Sequence, residues 1–217
     1  MDFFVIIPAH NEEERVAEVI KKVEKYTSNL VVVDDGSTDD TAKVATETGA
    51  VVLKHLVNLG KGAALKTGCD FALQHGAEKL IVIDADGQHE PEEIPNFLAA
   101  LKDKDMVYSY RQAAESMPVV LKFGNWFINK ALNCLCNTQL KDSQCGYRAF
   151  TAEAYRKIRW AARDYYMETE MIIKASKHNL KYSQIPIKTI YGDKYKGTTV
   201  IDGVKIVFKM IGGNVLR

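Results

Sequence analysis

Short apolar runs alternate with segments of mixed polarity through the first half of the chain. The apolar runs cover residues 3–9, 30–35, 50–55, 79–86 and 105–110. Segment 12–26 has helical periodicity, and segment 62–75 is also interpreted as a helix. Because the runs are apolar throughout, they are typical of parallel strands that are covered on both faces. The pattern predicts an α/β fold with a mostly parallel central sheet that is flanked by helices.

Residues with strong positional preferences mark the ends of further helices. Ser37 is a suitable N-cap and Gly49 a suitable C′ residue, so a helix is predicted between them. Pro91 follows the fourth apolar run at a place where the first turn of a helix accepts proline.

The second half of the chain has a less regular pattern. Residues 118–136 are apolar with little clean periodicity, and residues 140–150 form a polar loop that enters a short strand. The remaining predicted elements are a helix at 165–178, a strand at 182–190 and an amphipathic helix from Thr199. Because the chain has no internal repeat and no low-complexity linker, we expect a single domain over residues 1–217.

Polar and acidic side chains directly follow three of the predicted strands. Asp34 and Asp35 end the second run, Asp84 and Asp86 end the fourth, and the first leads into Pro8-Ala9-His10-Asn11-Glu12. In an open α/β sheet, ligands bind beyond the carboxyl ends of the strands. Four carboxylates at one edge repel each other unless a cation lies among them. The sequence therefore predicts a ligand site at this edge that includes a cation.

The pair Asp84 and Asp86 suits a hard divalent cation. Mg²⁺ or Mn²⁺ typically takes one or two carboxylates and completes its shell with substrate phosphates and water. Gln88 could add an amide oxygen. The same pattern also suits a helix N-terminal turn that uses aspartates as caps, and the pair alone does not separate the two. Its position after a buried strand favours the metal.

Two other polar segments each allow a functional and a local interpretation. Asp35, beside Gly36 and Ser37, could accept hydrogen bonds from a nucleobase or ribose, or could form an Asx turn next to a Ser37 cap. Gly60-Lys61-Gly62 could face a diphosphate or form a plain tight turn. The chain has neither a G-x-G-x-x-G motif after its first strand nor G-x-x-x-x-G-K-[ST]. Dinucleotide binding of the Rossmann type and P-loop chemistry are therefore not expected.

Composition narrows the class of protein without choosing a function. The chain has 217 residues, 47% hydrophobic and 26% charged, with a formal net charge of +1, so no global field selects nucleic acid. Its four cysteines have no metal-site spacing, and no signal-peptide pattern opens the chain. No apolar run reaches the roughly 18 residues of a membrane span. We expect a cytoplasmic protein with reduced thiols, attached to a membrane at most peripherally.

Five motifs, in this order and spacing, resemble family 2 glycosyltransferases of the GT-A fold. They read VIIPAHNEEE, VVVDDGSTDDT, NLGKGAALKTG, VIDADGQHEPEEIP and LKDSQCGYRAF. The last motif resembles the signature of the dolichol-phosphate mannose synthase and dolichol-phosphate glucose synthase branch. The resemblance covers roughly residues 3–200. It implies a GT-A domain with peripheral C-terminal helices.

The resemblance also implies roles for individual residues. Asp84, Asp86 and Gln88 match the metal-binding D-x-D-x-Q set. The implied ligand-binding residues are Pro8, His10, Glu12, Asp35, Asp84, Ala85, Asp86, Ser143 and Lys194. Pro8, His10 and Glu12 occupy the loop that lines the nucleotide, although the family more often has tyrosine in place of His10. Asp35 is the implied base or ribose contact.

Further implied contacts involve the two phosphate-bearing substrates. Arg111, Ser143 and Arg148 fall where the family places contacts to an acceptor phosphate. Lys194 stands where relatives usually carry an arginine near the donor diphosphate. Lysine keeps the charge but loses the bidentate fork, and Lys196 could substitute for it.

The resemblance implies a metal-dependent, inverting transfer of a hexose from a GDP- or UDP-sugar to a polyprenyl phosphate. The implied catalytic residues are Asp86, Arg111, Arg148 and Glu168. A hydroxyl acceptor is the alternative, and it would need a base such as Glu168 or Glu170. Both glutamates could instead be acidic residues of an exposed first helical turn. A sugar-1-phosphate nucleotidyltransferase is less favoured because the acidic segment PAHNEEE is poorly suited to binding a triphosphate. A non-catalytic relative is also less favoured because Asp84, Asp86 and Gln88 are all present.

Two segments are candidates for membrane-interface helices, residues 119–136 and residues 199–215. In the first, Trp126 and two lysines, Lys122 and Lys130, are interspersed among aliphatic residues, as in helices at membrane interfaces. A core helix that covers the sheet is the alternative. The expected partners are the sugar nucleotide, polyprenyl phosphate and a membrane surface, and not nucleic acid.

Overall fold

A computed structural model of the chain describes residues 2–112 and 119–188, with side chains described outside residues 119–124. The strands are β1 (Phe3–Ala9), β2 (Leu30–Asp34), β3 (Val51–Lys54), β4 (Lys79–Val82), β5 (Met106–Arg111), β6 (Arg148–Thr151) and β7 (Tyr182–Ile187). The helices are α1 (Val16–Val23), α2 (Thr41–Glu47), α3 (Lys61–Gln74), α4 (Ile94–Ala100), α5 (Val119–Cys136), α6 (Ala152–Ile158) and α7 (Tyr166–Lys177). The segment from 199 onward, with Lys194 and Lys196, lies outside the described residues.

The described strands form one sheet in the order β3-β2-β1-β4-β6-β5-β7. Strand β6 runs antiparallel to both of its neighbours, and the other pairs are parallel. The predicted fold class, a mostly parallel sheet flanked by helices, is confirmed.

Central strand β1 shows why the apolar runs are continuous. Val5, Ile6 and Ile7 are all fully buried, because Val5 and Ile7 belong to the core that includes α1, whereas Ile6 belongs to the core that includes α3. On the α3 side, a Cβ on Gly68 would lie 2.5 Å from Ile6 Cγ2. The absence of a side chain there lets α3 pack directly on the strand.

Several predicted boundaries require correction. Strand β4 ends at Val82, before the end of the fourth apolar run, and Asp84 and Asp86 follow the strand as predicted. Ser37 is not the N-cap of α2, which begins at Thr41; its Oγ instead accepts the N–H of Asn11 at 2.9 Å. Gly49 is confirmed as the C′ residue after α2, with φ of 90°.

The structure also differs from the sequence pattern at other elements. Strand β3 is an edge strand, and its Val51 is 47% exposed rather than buried. Helix α6 was not predicted, and Thr151 caps it by accepting the N–H of Ala154. Pro91 opens a 3₁₀ turn that leads into α4, as its position predicts. Among the described residues, no helix is long and apolar enough to cross a membrane.

Candidate active site

The acidic turns after β2 and β4 lie on either side of β1 at the carboxyl edge of the sheet. Strand β1 pairs with both, in parallel, so all three strands end at the same edge. Asp34 and Asp35 lie at the end of β2, and Asp84 and Asp86 lie in the turn after β4. All four aspartates therefore lie at the predicted edge of the sheet.

A lysine ammonium lies between one of these carboxylates and Glu168. Lys61 Nζ is 2.8 Å from Oδ1 and 3.0 Å from Oδ2 of Asp84, and 3.4 Å from Oε1 of Glu168. Burial lowers the pKa of Lys61, but the charges of Asp84 and Glu168 outweigh it and hold that pKa above its ordinary value. Burial conversely raises the pKa of Asp84, and the nearby Lys61 charge outweighs it, so that pKa is lowered.

The glycines that flank Lys61 are required by close backbone approach. A Cβ on Gly60 would lie 2.4 Å from the carbonyl oxygen of Arg163, and one on Gly62 would lie 2.4 Å from that of Ala162. Gly62 donates its N–H to Arg163, and Gly60 donates its N–H to Asp35. Because these two amides have protein partners, the Gly60-Lys61-Gly62 segment offers its lysine side chain, rather than these amides, to a ligand.

The loop that carries the fifth motif lies directly against this ion pair. A Cβ on Gly146 would be 2.8 Å from both Asp84 Oδ2 and Lys61 Nζ. The glycine in the motif QCGYR therefore lets the loop backbone at this position approach the D-x-D turn closely. Sequence alone did not indicate that these two motifs touch.

The donor set at Asp84, Asp86 and Gln88 fits a hard divalent cation. Burial, and then the charge of Asp84, raise the pKa of Asp86, so these two carboxylates repel each other. Among the described residues, no group of three His, Cys, Asp or Glu side chains could hold a metal ion. Two carboxylates and one amide match the partial protein shell that Mg²⁺ or Mn²⁺ completes with phosphate oxygens and water.

Asp35 is occupied by the protein. Its Oδ1 accepts the N–H of Leu59 at 3.0 Å and contacts His55 Nδ1 at 2.7 Å, and its Oδ2 accepts the N–H of Gly60 at 2.7 Å. The side chain is buried. The described contacts give Asp35 the role of holding the segment before α3, and the predicted base or ribose contact stays a prediction.

The residues after β1 combine strand and helix-start roles. Pro8 is part of β1, opposite Val33, rather than part of the following loop. The carbonyl of Glu12 accepts the N–H of Val16 and so begins α1, while its carboxylate pairs with Arg15 at 3.0 Å. His10 Nδ1 is buried and has no hydrogen-bond partner among the described residues.

Two arginines that were predicted to contact an acceptor phosphate have different environments. Arg111, at the end of β5, forms two hydrogen bonds with the carboxylate of Asp142. Arg148 is 1% exposed and donates to the backbone carbonyls of Cys145, Ser143 and Glu168. The geometry does not support direct phosphate contact by Arg148, because its donors already join the 143–145 segment to α7.

Ser143 and Ala85 are both enclosed in the protein. Ser143 is 1% exposed, and its carbonyl oxygen is the acceptor for Arg148 at 2.6 Å. Ala85 is buried in the core on the α1 side of the sheet. Their predicted ligand contacts stay predictions.

The two glutamates near the start of α7 differ. Glu168 is buried, so the interpretation of an exposed helical turn is wrong for it, and burial raises its pKa. Its Oε2 has no hydrogen-bond partner among the described residues. Glu170 instead accepts the N–H groups of Ala161 and Ala162 and pairs with Lys174 at 2.8 Å. Glu168 is therefore the better candidate base, and Glu170 stabilises the loop before α7.

Helix α5 has one buried and one exposed face. Ile128 and Leu132 are buried in the core, whereas Trp126 and Phe127 are 56% and 47% exposed. Lys130 Nζ lies 6.0 Å from the ring centroid of Trp126. The helix packs beside α7 with one face in the core and presents aromatic side chains to the outside.

A mostly parallel sheet with an acidic turn at its carboxyl edge is the arrangement of GT-A glycosyltransferases. The family model "Glycosyl transferase family 2" matches residues 4–159, and the chain belongs to this family. It is therefore a glycosyltransferase.

Three matches show what the chain is similar to. A UDP-N-acetylglucosamine–dolichyl-phosphate N-acetylglucosaminyltransferase of Methanococcus voltae is 31% identical, over 96% of this chain and 94% of that protein. An undecaprenyl-phosphate mannosyltransferase of Micrococcus luteus is 27% identical, over 86% and 83%. The crystal structure of glucosyl-3-phosphoglycerate synthase from Mycobacterium tuberculosis with Mn²⁺, UDP and phosphoglyceric acid has a TM-score of 0.76 at 19% identity, covering 97% and 77%. The first two relatives confirm the resemblance to the dolichol-phosphate sugar transferase branch, and the third shows the fold alone.

Proposed function

We propose that this glycosyltransferase moves a hexose or hexose derivative from a nucleotide-diphosphate sugar to a polyprenyl phosphate, with a divalent metal and with inversion. One observation carries the proposal: the loop with the fifth motif, LKDSQCGYRAF, contacts the D-x-D turn, with Gly146 against Asp84 and Lys61. A donor diphosphate on the turn and an acceptor phosphate on the loop would therefore meet. The names of the relatives from M. voltae and M. luteus support the same acceptor class.

On the donor side, Asp84, Asp86 and Gln88 would hold Mg²⁺ or Mn²⁺. The metal, when bound, would supply Lewis-acid and electrostatic stabilisation of the leaving diphosphate. Pro8, His10, Glu12, Asp35 and Ala85 lie in or directly after the strands that end at the same edge, and are proposed to shape the nucleotide site. Lys194 or Lys196 is proposed to add positive charge near the diphosphate.

On the acceptor side, the phosphate oxygen is already anionic near neutral pH, so no dedicated base is needed. The requirement is a cation that holds two anionic partners together. Arg111 is the proposed residue, because Asp142 fixes the plane of its guanidinium. Arg148 and Ser143 would act by holding the loop in place. Direct attack of the phosphate oxygen on the anomeric carbon inverts its configuration.

A hydroxyl acceptor is the second candidate, and the environment of Glu168 favours it. Its carboxylate lies beside Lys61, it is buried, and burial raises its pKa. A buried carboxylate with a raised pKa is a stronger base than an ordinary glutamate, which suits general-base catalysis. This candidate uses the same donor site and differs only in the acceptor.

The test is transfer from a panel of GDP- and UDP-sugars to a short polyprenyl phosphate, with Mn²⁺ or Mg²⁺ and with the products followed as lipid-linked sugar. We expect metal-dependent product that is lost in Asp86→Ala. Asp103→Ala, at an exposed aspartate between α4 and β5, is the matched control and should retain activity. Donor hydrolysis without lipid product would favour the hydroxyl acceptor. Absence of donor binding in the unmodified protein would refute the proposal.

A further inference from the structure

The ammonium of Lys61 has as many carboxylate oxygens around it as it has hydrogens. Oδ1 and Oδ2 of Asp84 lie at 2.8 and 3.0 Å, and Oε1 of Glu168 lies at 3.4 Å. An ammonium has three N–H donors and no acceptor. Among the described contacts, Lys61 therefore faces both oxygens of a carboxylate to which the metal site is assigned.

A divalent cation on Asp84 would lie beside this ammonium. The side chains of Lys61 and Asp84 are only 18% and 23% exposed, so water screens their charges weakly. Two cations on one carboxylate repel strongly unless an anion joins them. The diphosphate of a sugar nucleotide is such an anion.

Hydrogen bonds fix the backbone on both sides of Lys61, whereas its side chain is held by ion pairs. Gly60 donates its N–H to Asp35, Gly62 donates to Arg163, and the Gly62 carbonyl accepts Trp160 Nε1 at 2.7 Å. A lysine side chain has a flexible stem of four carbons, so the ammonium can change partners while the backbone stays in place.

We infer that Lys61 couples metal binding to donor binding. Without the donor, its ammonium neutralises Asp84 and opposes the metal; with the donor, it leaves Asp84 for the diphosphate, and metal and nucleotide bind together. This inference rests on the proposed function, in which the same edge holds a metal and a diphosphate. It assigns Lys61 as the residue that sets the order of binding.

The experiment is a Mn²⁺ titration followed by electron paramagnetic resonance, which needs no turnover. It uses the full chain, alone and with saturating UDP or GDP. Unmodified protein should bind Mn²⁺ weakly alone and more tightly with the nucleoside diphosphate. In Lys61→Met, Mn²⁺ alone should bind about tenfold tighter or more, because a neighbouring buried charge is removed. The further increase in Mn²⁺ affinity that the nucleotide causes should be smaller than in the unmodified protein.

Lys54→Met is the matched control. Lys54 Nζ lies 4.0 Å from Asp34 at the same edge, but the side chain is 60% exposed and does not contact Asp84. Its removal should leave the Mn²⁺ affinity unchanged. If Lys61→Met fails to fold, Lys61→Met/Glu168→Gln is compared with Glu168→Gln, and the same tenfold difference is expected.

Two outcomes would overturn the inference, and they are distinguishable. If Lys61→Met and unmodified protein bind Mn²⁺ equally while Asp84→Asn abolishes binding, the coupling is wrong and the metal site stands. If no variant binds Mn²⁺ with either nucleotide, the coupling fails together with the metal dependence of the proposed function.

Discussion

The guanidinium of Arg111 forms two hydrogen bonds with the carboxylate of Asp142, from Nε to Oδ2 at 2.7 Å and from a terminal nitrogen to Oδ1 at 3.2 Å. The pair joins the end of β5 to the loop that precedes β6. Both side chains are largely buried, at 15% and 13% exposure. A cation held in this way is oriented before any ligand arrives.

Replacing Arg111 by lysine tests its proposed role. The charge stays, but the two-pronged contact with Asp142 is lost. Without that support the cation would lose at least one charge-assisted hydrogen bond to the acceptor phosphate, worth about 1.5–3 kcal/mol, so kcat/KM for polyprenyl phosphate should fall about tenfold or more. Binding of the nucleotide, measured by calorimetry, should change little. Unchanged acceptor kinetics in Arg111→Lys would contradict the assignment.

The Asp142 carboxylate makes stability depend on pH. Burial raises its pKa, but Arg111 outweighs this, and the folded-state pKa lies below the ordinary value. A lowered carboxyl pKa stabilises the fold above the unfolded-state pKa of about 3.9, and that contribution is lost as the pH falls through the folded-state value. The difference in unfolding free energy between unmodified protein and Asp142→Asn, from urea denaturation, should be larger at pH 6 than at pH 3. An equal difference in unfolding free energy at the two pH values would refute this role of Asp142.

Substitution of Gly146 should impair activity more than folding. An alanine Cβ would lie 2.8 Å from Asp84 Oδ2 and Lys61 Nζ, so these charged groups must move. We expect transfer in Gly146→Ala to fall about tenfold or more, as for other displaced catalytic groups. Gly76→Ala is the contrasting control, because its Cβ meets nothing within 4 Å but its φ is +83°. That variant should lose about 1 kcal/mol of stability and keep its activity.

Glu170 should stabilise the fold more than a comparable surface glutamate. It pairs with Lys174 at 2.8 Å, as Glu153 does with Lys157, but it also accepts backbone N–H groups of the 161–162 segment. Each of these hydrogen bonds contributes about 0.5–1.5 kcal/mol net, so Glu170→Ala should lower the melting temperature. Glu153→Ala, which removes only an exposed ion pair, should change it little. Equal melting temperatures for the two variants would show that the backbone contacts are unimportant.

The exposed aromatic face of α5 should contribute to membrane attachment. Trp126 and Phe127 are exposed, with Lys130 beside the Trp126 ring. Trp126→Ser/Phe127→Ser should reduce co-sedimentation with vesicles that contain anionic lipid, because apolar area available to the interface is removed. Leu56→Ser, at a 97% exposed residue after β3, is the control for general hydrophobicity. Equal loss in both variants would argue against a specific role for α5.

The sequence by itself determined the fold class and the edge at which the site lies. Apolar runs without alternation indicate parallel strands, and parallel strands that alternate with helices end at one edge. The acidic residues after β2 and β4 therefore had to lie near each other. The five motifs also indicated the protein family, because their order and spacing are specific to it.

Only the tertiary structure decided which partners these residues have. The antiparallel insertion of β6 between β4 and β5 is a long-range pairing that local periodicity does not encode, and it buries Arg148 among backbone carbonyls. Lys61 was ambiguous in sequence because its neighbours, Asp84 and Glu168, are distant along the chain. Charged groups and buried carbonyls interact with whatever lies close to them in space. Those neighbours depend on how the helices and loops pack on the sheet.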